Sequence, residues 1–252
     1  MKLYTAFSAF VFCVTAIFCE AAAAQNDYKY KDSRRYGGQR RVVRQKVPTV
    51  RELAGKMPDK DAARKGAEKF FAALDALPES FVKRTGLKYV TFLEAPTFKK
   101  LPIGGLAAGD TIFLALPVSE KTVYHELFHI FDSLKPIKKW QNINDRKFVY
   151  TGSQYYAANL TKAKRKRKDR NLSTGKYDQD FVSRYAMSNE VEDRAETFAH
   201  MIVEKKNFLK RTEKSPVLRK KMKFLIDMTD KNKLLGREFW QKNFEVSDLS
   251  LL

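Results

Sequence analysis

Apolar residues in this chain recur at helical spacing in several stretches and gather in two shorter, strand-like ones. Between Asp61 and Leu77, the residues Ala63, Ala67, Phe70, Phe71, Leu74 and Leu77 fall on one helical face, and Pro78 ends the run. Lys88 to Leu93 and Thr111 to Leu116 are short and rich in β-branched and aromatic residues, and both read as strands. Gly104-Gly105 and Gly109-Asp110 mark turns between them. Ser119 offers an N-cap to a second helix carrying Val123, Leu127, Phe128, Ile130 and Phe131. A third helix is expected from Ser188 or Asn189 to about Lys205, with acidic residues favourably placed in its first turns. Upstream, residues 25–59 are polar and basic, without apolar periodicity, and read as an extended or disordered lead-in. The pattern predicts one α+β domain over 60–252, mainly helical and compact, with a small sheet.

The N-terminus has a different character. Lys2 precedes an apolar run from Leu3 to Cys19, and an Ala-x-Ala site ends at Ala24, which predicts a secretory signal cleaved from residues 1–24. The run is short for a membrane span. Bulky Phe18 stands before Cys19, where lipid attachment needs a small residue. The expected location is therefore secreted or periplasmic. Cys13 and Cys19 are the two cysteines and both lie in this segment, so the mature chain has no thiolate and any metal must be held by His, Asp or Glu. The remainder is long enough for one sizeable domain without disulfide staples.

Charge adds a second theme. The net charge is +20 and is clustered, with Arg34, Arg35, Arg40, Arg41, Arg44 and Lys46 in one run (34–46) and an unbroken series of Lys and Arg within 162–170 in another, apart from Ala163 and Asp169. These runs fit either a solvated surface or attraction to an anionic surface or polymer. Export argues against nucleic acid as the partner, and no aromatic-rich binding motif interleaves the runs. Oligomeric state is not written in the pattern.

The chemistry sits in the second predicted helix, which reads Tyr-His-Glu-Leu-Phe-His-Ile-Phe-Asp over residues 124–132. His125 and His129 are four apart, so both imidazoles leave the same face, one turn apart, as two nitrogen ligands of a tetrahedral zinc ion would. Glu126 then falls beside the metal, where it can take a proton from a bound water. Two of the chain's three histidines are in this one motif. In the third helix Glu192 and Glu196 share a stripe with Ala199 and Val203, which suits Glu192 as third ligand and Glu196 as a supporting acid just outside the ligands. His200 is the other candidate for the third position. Asp132, three after His129, reads as a group that orients an imidazole. Glu190 and Asp193 read as solvated helix-start acids.

His-Glu-Leu-Phe-His-Ile-Phe-Asp, followed by Tyr-x6-Glu-x3-Glu in an Asn-Glu-x-Glu-x-x-Ala-Glu setting, resembles the catalytic domain of anthrax lethal factor and the related Pro-Pro endopeptidases. The resemblance spans roughly residues 60–230, and its two motif segments are the specific part. It implies a compact zincin-like fold with His125, His129 and Glu192 on zinc and Glu126 as general base. By the same resemblance Tyr185 stabilises the oxyanion, Glu196 is an acid near the metal and Asp132 is the acid after the second histidine. Phe128 departs from the small residue more often found there, and the basic segment at 162–170 is foreign to the pattern. The expectation is an exported zinc-dependent endopeptidase that cleaves peptide or protein substrates with zinc-bound water and Glu126 as base. The alternative is a non-catalytic exported protein with a structural zinc site, closed by His200 or Asp132, that binds anionic polymer or membrane.

Overall fold

The computed structural model describes residues 30–36, 39–43, 52–134, 137, 139–152 and 175–251. The expected signal at 1–24 and the basic segment at 162–170 lie outside the described residues. Residues 1–47 and 48–252 form two separate units. In the first, strands β1 (Tyr30–Tyr36) and β2 (Gln39–Val43) pair antiparallel, with Tyr30 opposite Val43 and Tyr36 opposite Gln39.

The second unit opens with β3 (Leu53–Lys56), followed by α1 (Lys60–Asp75), α2 (Glu79–Thr85) and β4 (Tyr89–Phe98). Next come β5 (Leu101–Pro102), β6 (Gly105–Ala108), β7 (Thr111–Ala115) and α3 (Glu120–Leu134). The C-terminal half is helical: α4 (Glu190–Val203), α5 (Lys205–Lys214), α6 (Pro216–Lys231) and α7 (Arg237–Phe244). This is a mainly helical α+β unit with a small mixed sheet. Strand β3 lies within the segment read as lead-in. It is a short edge strand whose pattern buries no residue fully, so no alternation announces it.

Strand order is β3-β4-β7-β6, with β5 also paired to β4. β4 and β7 run parallel, from Tyr89 opposite Thr111 to Leu93 opposite Ala115. β6 returns antiparallel on β7, with Gly105 opposite Leu114. β7, the strand expected at Thr111 to Leu116, is thus interior, and β6 is the free edge. Gly105, read as part of a turn, opens that edge strand.

Local rules account for the helix boundaries. Asp59 caps α1 by accepting from Ala62 N at 2.8 Å, and Ser215 caps α6 by accepting from Leu218 N at 3.0 Å ahead of Pro216. Such caps contribute about 1 kcal/mol each. α1 turns Gly66, Phe70, Ala73 and Leu74 inward. α3 is buried nearly all round, as befits a central helix rather than a surface one. It lies against β6, β7, α1, α2 and α4. Phe128 fills the gap between α3 and α4, its ring 4.7 Å from that of Phe198 and 5.6 Å from that of Phe131. Among the described residues no helix is long and apolar enough to cross a membrane.

Candidate metal centre

The site is built where α3 crosses the start of α4. Asn189 fixes the beginning of α4: its side chain accepts from Val191 N at 2.9 Å and Glu192 N at 3.0 Å. That cap sets Glu192 in the first turn, facing α3. Nε2 of His125 and Nε2 of His129 lie 2.9 Å apart, and Oε2 of Glu192 is 3.1 Å from the first and 3.2 Å from the second. The three atoms form a nearly equilateral triangle, and among the described residues this is the one group of its kind. Ligand atoms about 2.0–2.1 Å from a tetrahedral zinc stand roughly 3.3 Å from one another, so the donor set fits that ion. Three protein donors leave the fourth position open, the arrangement of hydrolytic rather than structural zinc.

A second turn of α4 grips the same histidine. Glu196 Oε1 is 2.9 Å from Nδ1 of His125, although the contact is bent and falls short of an aligned hydrogen bond. Oε2 of Glu196 accepts from Ser183 Oγ at 2.6 Å. Ser183 in turn accepts from Ala186 N at 3.0 Å and so braces the short turn that carries Tyr185. A carboxylate at Nδ1 keeps the proton on that nitrogen and turns the Nε2 lone pair toward the metal. Burial by itself would lower the pKa of His125; its contacts with Glu192 and Glu196 outweigh that and hold it at about 10 without metal. Burial raises the Glu192 carboxyl, but the two imidazoles dominate and draw it below the usual range.

Glu126 is buried beside the triangle, 5 % exposed. Burial pushes its carboxyl up, while His125, His129 and the backbone amide of Ala107 on β6 pull it back. That amide is available for a reason of register. Ala115 N–H donates to Gly104 O at 2.9 Å, so the alternation of an antiparallel pair turns the peptide groups of Gly105 and Ala107 away from β7. Tyr185 has a half-exposed ring with its centroid 5.9 Å from that of His125. Burial of its hydroxyl end, the charges of Glu192 and Glu126, and a hydrogen bond to Glu192 all raise its pKa, so it stays protonated and able to donate.

The remaining expectations fare differently. Asp132 does not meet an imidazole. Its Oδ2 accepts from Arg194 Nε at 2.9 Å and Nη2 at 2.6 Å, a buried pair that ties the end of α3 to α4. His200 is buried one turn beyond Glu196, with Nδ1 2.8 Å from Glu196 O and Nε2 3.4 Å from Glu204 Oε1, apart from the triangle. Asp193 is not solvated. It is fully buried, accepting from Trp140 Nε1 and Tyr150 OH at 2.8 Å each, with Lys221 Nζ 2.9 Å from Oδ2. Lys221 also donates to Asp180 O at 3.0 Å and sits 3.5 Å over the Phe181 ring. Sequence reasoning missed Arg194, Ser183 and Lys221. An Arg four residues after Glu190 is a visible helix pair, but nothing local marks the other two.

A family model described as "Putative zinc-binding metallo-peptidase" matches residues 110–247, more than half of the chain. The match takes in both histidines, Glu126, Tyr185, Glu192 and Glu196. It supports zinc as the metal and peptide bonds as the target, and does not extend to lethal factor-like specificity. Neither a curated protein nor a solved structure matches significantly.

Proposed function

The chain belongs to this zinc-binding metallo-peptidase family, and on that premise we propose that it is an exported endopeptidase acting through Glu126 as general base. The observation that carries the reading is the triangle of His125, His129 and Glu192 with a buried carboxylate beside it and the open edge strand β6 alongside. Zinc bound there supplies Lewis acidity that lowers the pKa of a water to about 7. Glu126 takes the water proton and passes it to the leaving amine. Its rise on burial brings it nearer the working pH, which suits a group that both accepts and returns a proton. Tyr185, held protonated, donates from its hydroxyl to the oxygen that gains charge. Glu196 orients His125 from behind. The outward peptide groups of β6 offer backbone hydrogen bonds to an extended substrate.

Export to a secreted or periplasmic location rests on the signal pattern at 1–24, and an anionic partner on the basic runs. A closed structural zinc is disfavoured by the placement of its two proposed fourth ligands, since Asp132 is held by Arg194 and His200 faces Glu204. The deciding experiment is a peptide library read by mass spectrometry with wild type and Glu126→Gln. Glutamine keeps the size of the side chain but cannot accept the proton, so cleavage should fall by about 10²–10⁴-fold with zinc retained. Equal cleavage by both proteins, or none by the zinc-loaded wild type, refutes the reading.

A further inference from the structure

Gly105 is a glycine for reasons of space. It is not among the residues with left-handed backbone, so its conformation would accept a side chain. A Cβ built there would stand 2.7 Å from Cγ and 2.8 Å from Oε1 of Glu126, and 2.8 Å from Cγ2 of Thr122. Real Cβ atoms do not approach other atoms so closely. The backbone of β6 therefore lies directly against the carboxylate of Glu126, and two residues along, the amide of Ala107, turned away from β7, favours the charged form of that carboxylate. The strand and α3 come together at this point of the fold.

We propose that β6 seats the general base: Gly105 leaves the room and Ala107 N–H supplies the hold that fix the Glu126 carboxylate beside the metal ligands. The inference rests on the peptidase reading for its catalytic purpose. Both are positioning residues, since neither touches the reacting atoms in this role. Glu126 has flexible torsions and, among the described residues, no hydrogen bond to its carboxylate from another side chain of α3, so without the strand it would sample several rotamers. Seating it beforehand removes that freedom before the proton transfer, where a displacement of about 1 Å costs about 10²-fold in rate. The strand that offers its edge to a substrate backbone would thus also hold the base, and the two would be in register by construction.

The test combines a thermal cycle with peptide cleavage on the full chain. Every variant carries Thr122→Ser, which removes the second group that a new Cβ would meet. In that background Gly105→Ala is expected to lower Tm by about 3–8 °C through overpacking. It should cut kcat by about 10²-fold, with KM within about twofold and zinc content unchanged. Adding Glu126→Ala vacates the space, and the Tm penalty of Gly105→Ala should then disappear. A penalty that persists beside Glu126→Ala overturns the inference, as does an unchanged kcat in Gly105→Ala. A parent protein that cleaves no peptide refutes the peptidase reading, and with it the catalytic purpose, even where the thermal cycle still couples positions 105 and 126.

Discussion

Zinc and a proton compete for the same nitrogen of His125, and the competition can be measured. Without metal, Nε2 of His125 lies between Nε2 of His129 at 2.9 Å and Oε2 of Glu192 at 3.1 Å, so a proton there is shared with two acceptors. With Glu196 at the other ring nitrogen, the outcome is a pKa of about 10 despite burial. At pH 7 the metal must displace a proton held about three units above ambient, which costs about 4 kcal/mol of apparent affinity. The apparent zinc affinity should therefore climb about tenfold per pH unit from 7 to 9 and level off near 10, with one proton released per ion. Chelator competition at pH 7, 8 and 9 measures the slope. Calorimetry in two buffers of different ionisation heat counts the proton. An affinity that changes by less than about threefold between pH 7 and 9 would refute the argument. The metal-free fold should show the mirror image. Stability contributed by His125 is complete below 6.5 and is lost as pH rises towards about 10. That from Glu192, whose carboxyl is lowered, is present above 4.5 and is lost as pH falls through its folded value. The apo protein is thus expected to be most stable between these limits.

Two further outcomes test the site and its support. Glu192→Ala should lose most of the bound zinc while His200→Ala keeps it, as read by metal analysis after dialysis; equal zinc in wild type and Glu192→Ala would return His200 to consideration. Lys221→Met removes one half of the fully buried pair with Asp193 and should cost about 3–5 kcal/mol, lowering the urea midpoint by about 1 M or more. A loss below about 1 kcal/mol would show that Trp140 and Tyr150 alone compensate the carboxylate.

Much of the centre was legible because its geometry is helical. Four-residue spacing puts His125 and His129 together, and again Glu192 and Glu196, before any tertiary contact is known. Joining the two helices needed only one assumption, that a polar stripe continued by apolar residues faces a core. What escaped the reading is set by partners distant in sequence. Asp193 has the composition of a solvated helix start, and partners far along the chain, Trp140, Tyr150 and Lys221 on α6, make it a core residue. Asp132 follows a ligand histidine closely enough to suggest a role on the imidazole, yet Arg194 takes it. The choice of β6 over β7 as the edge was equally hidden, because both strands are short and half-apolar and sheet order is a matter of pairing rather than pattern. Gly105 resembled any turn glycine until Glu126 stood against it.

The contact between Trp140 and Asp193 gives the protein an optical property. The chain has two tryptophans, Trp140 and Trp240, and both are fully buried. Trp240 donates to Thr229 Oγ1 at 2.9 Å, whereas the indole of Trp140 donates at 2.8 Å to the residue that immediately follows Glu192. Emission from a buried indole responds to the charge at its ring nitrogen. In a chain whose only fluorescent indole is Trp140, light alone would report the seating of the ligand-bearing helix, with no dye attached and no substrate known.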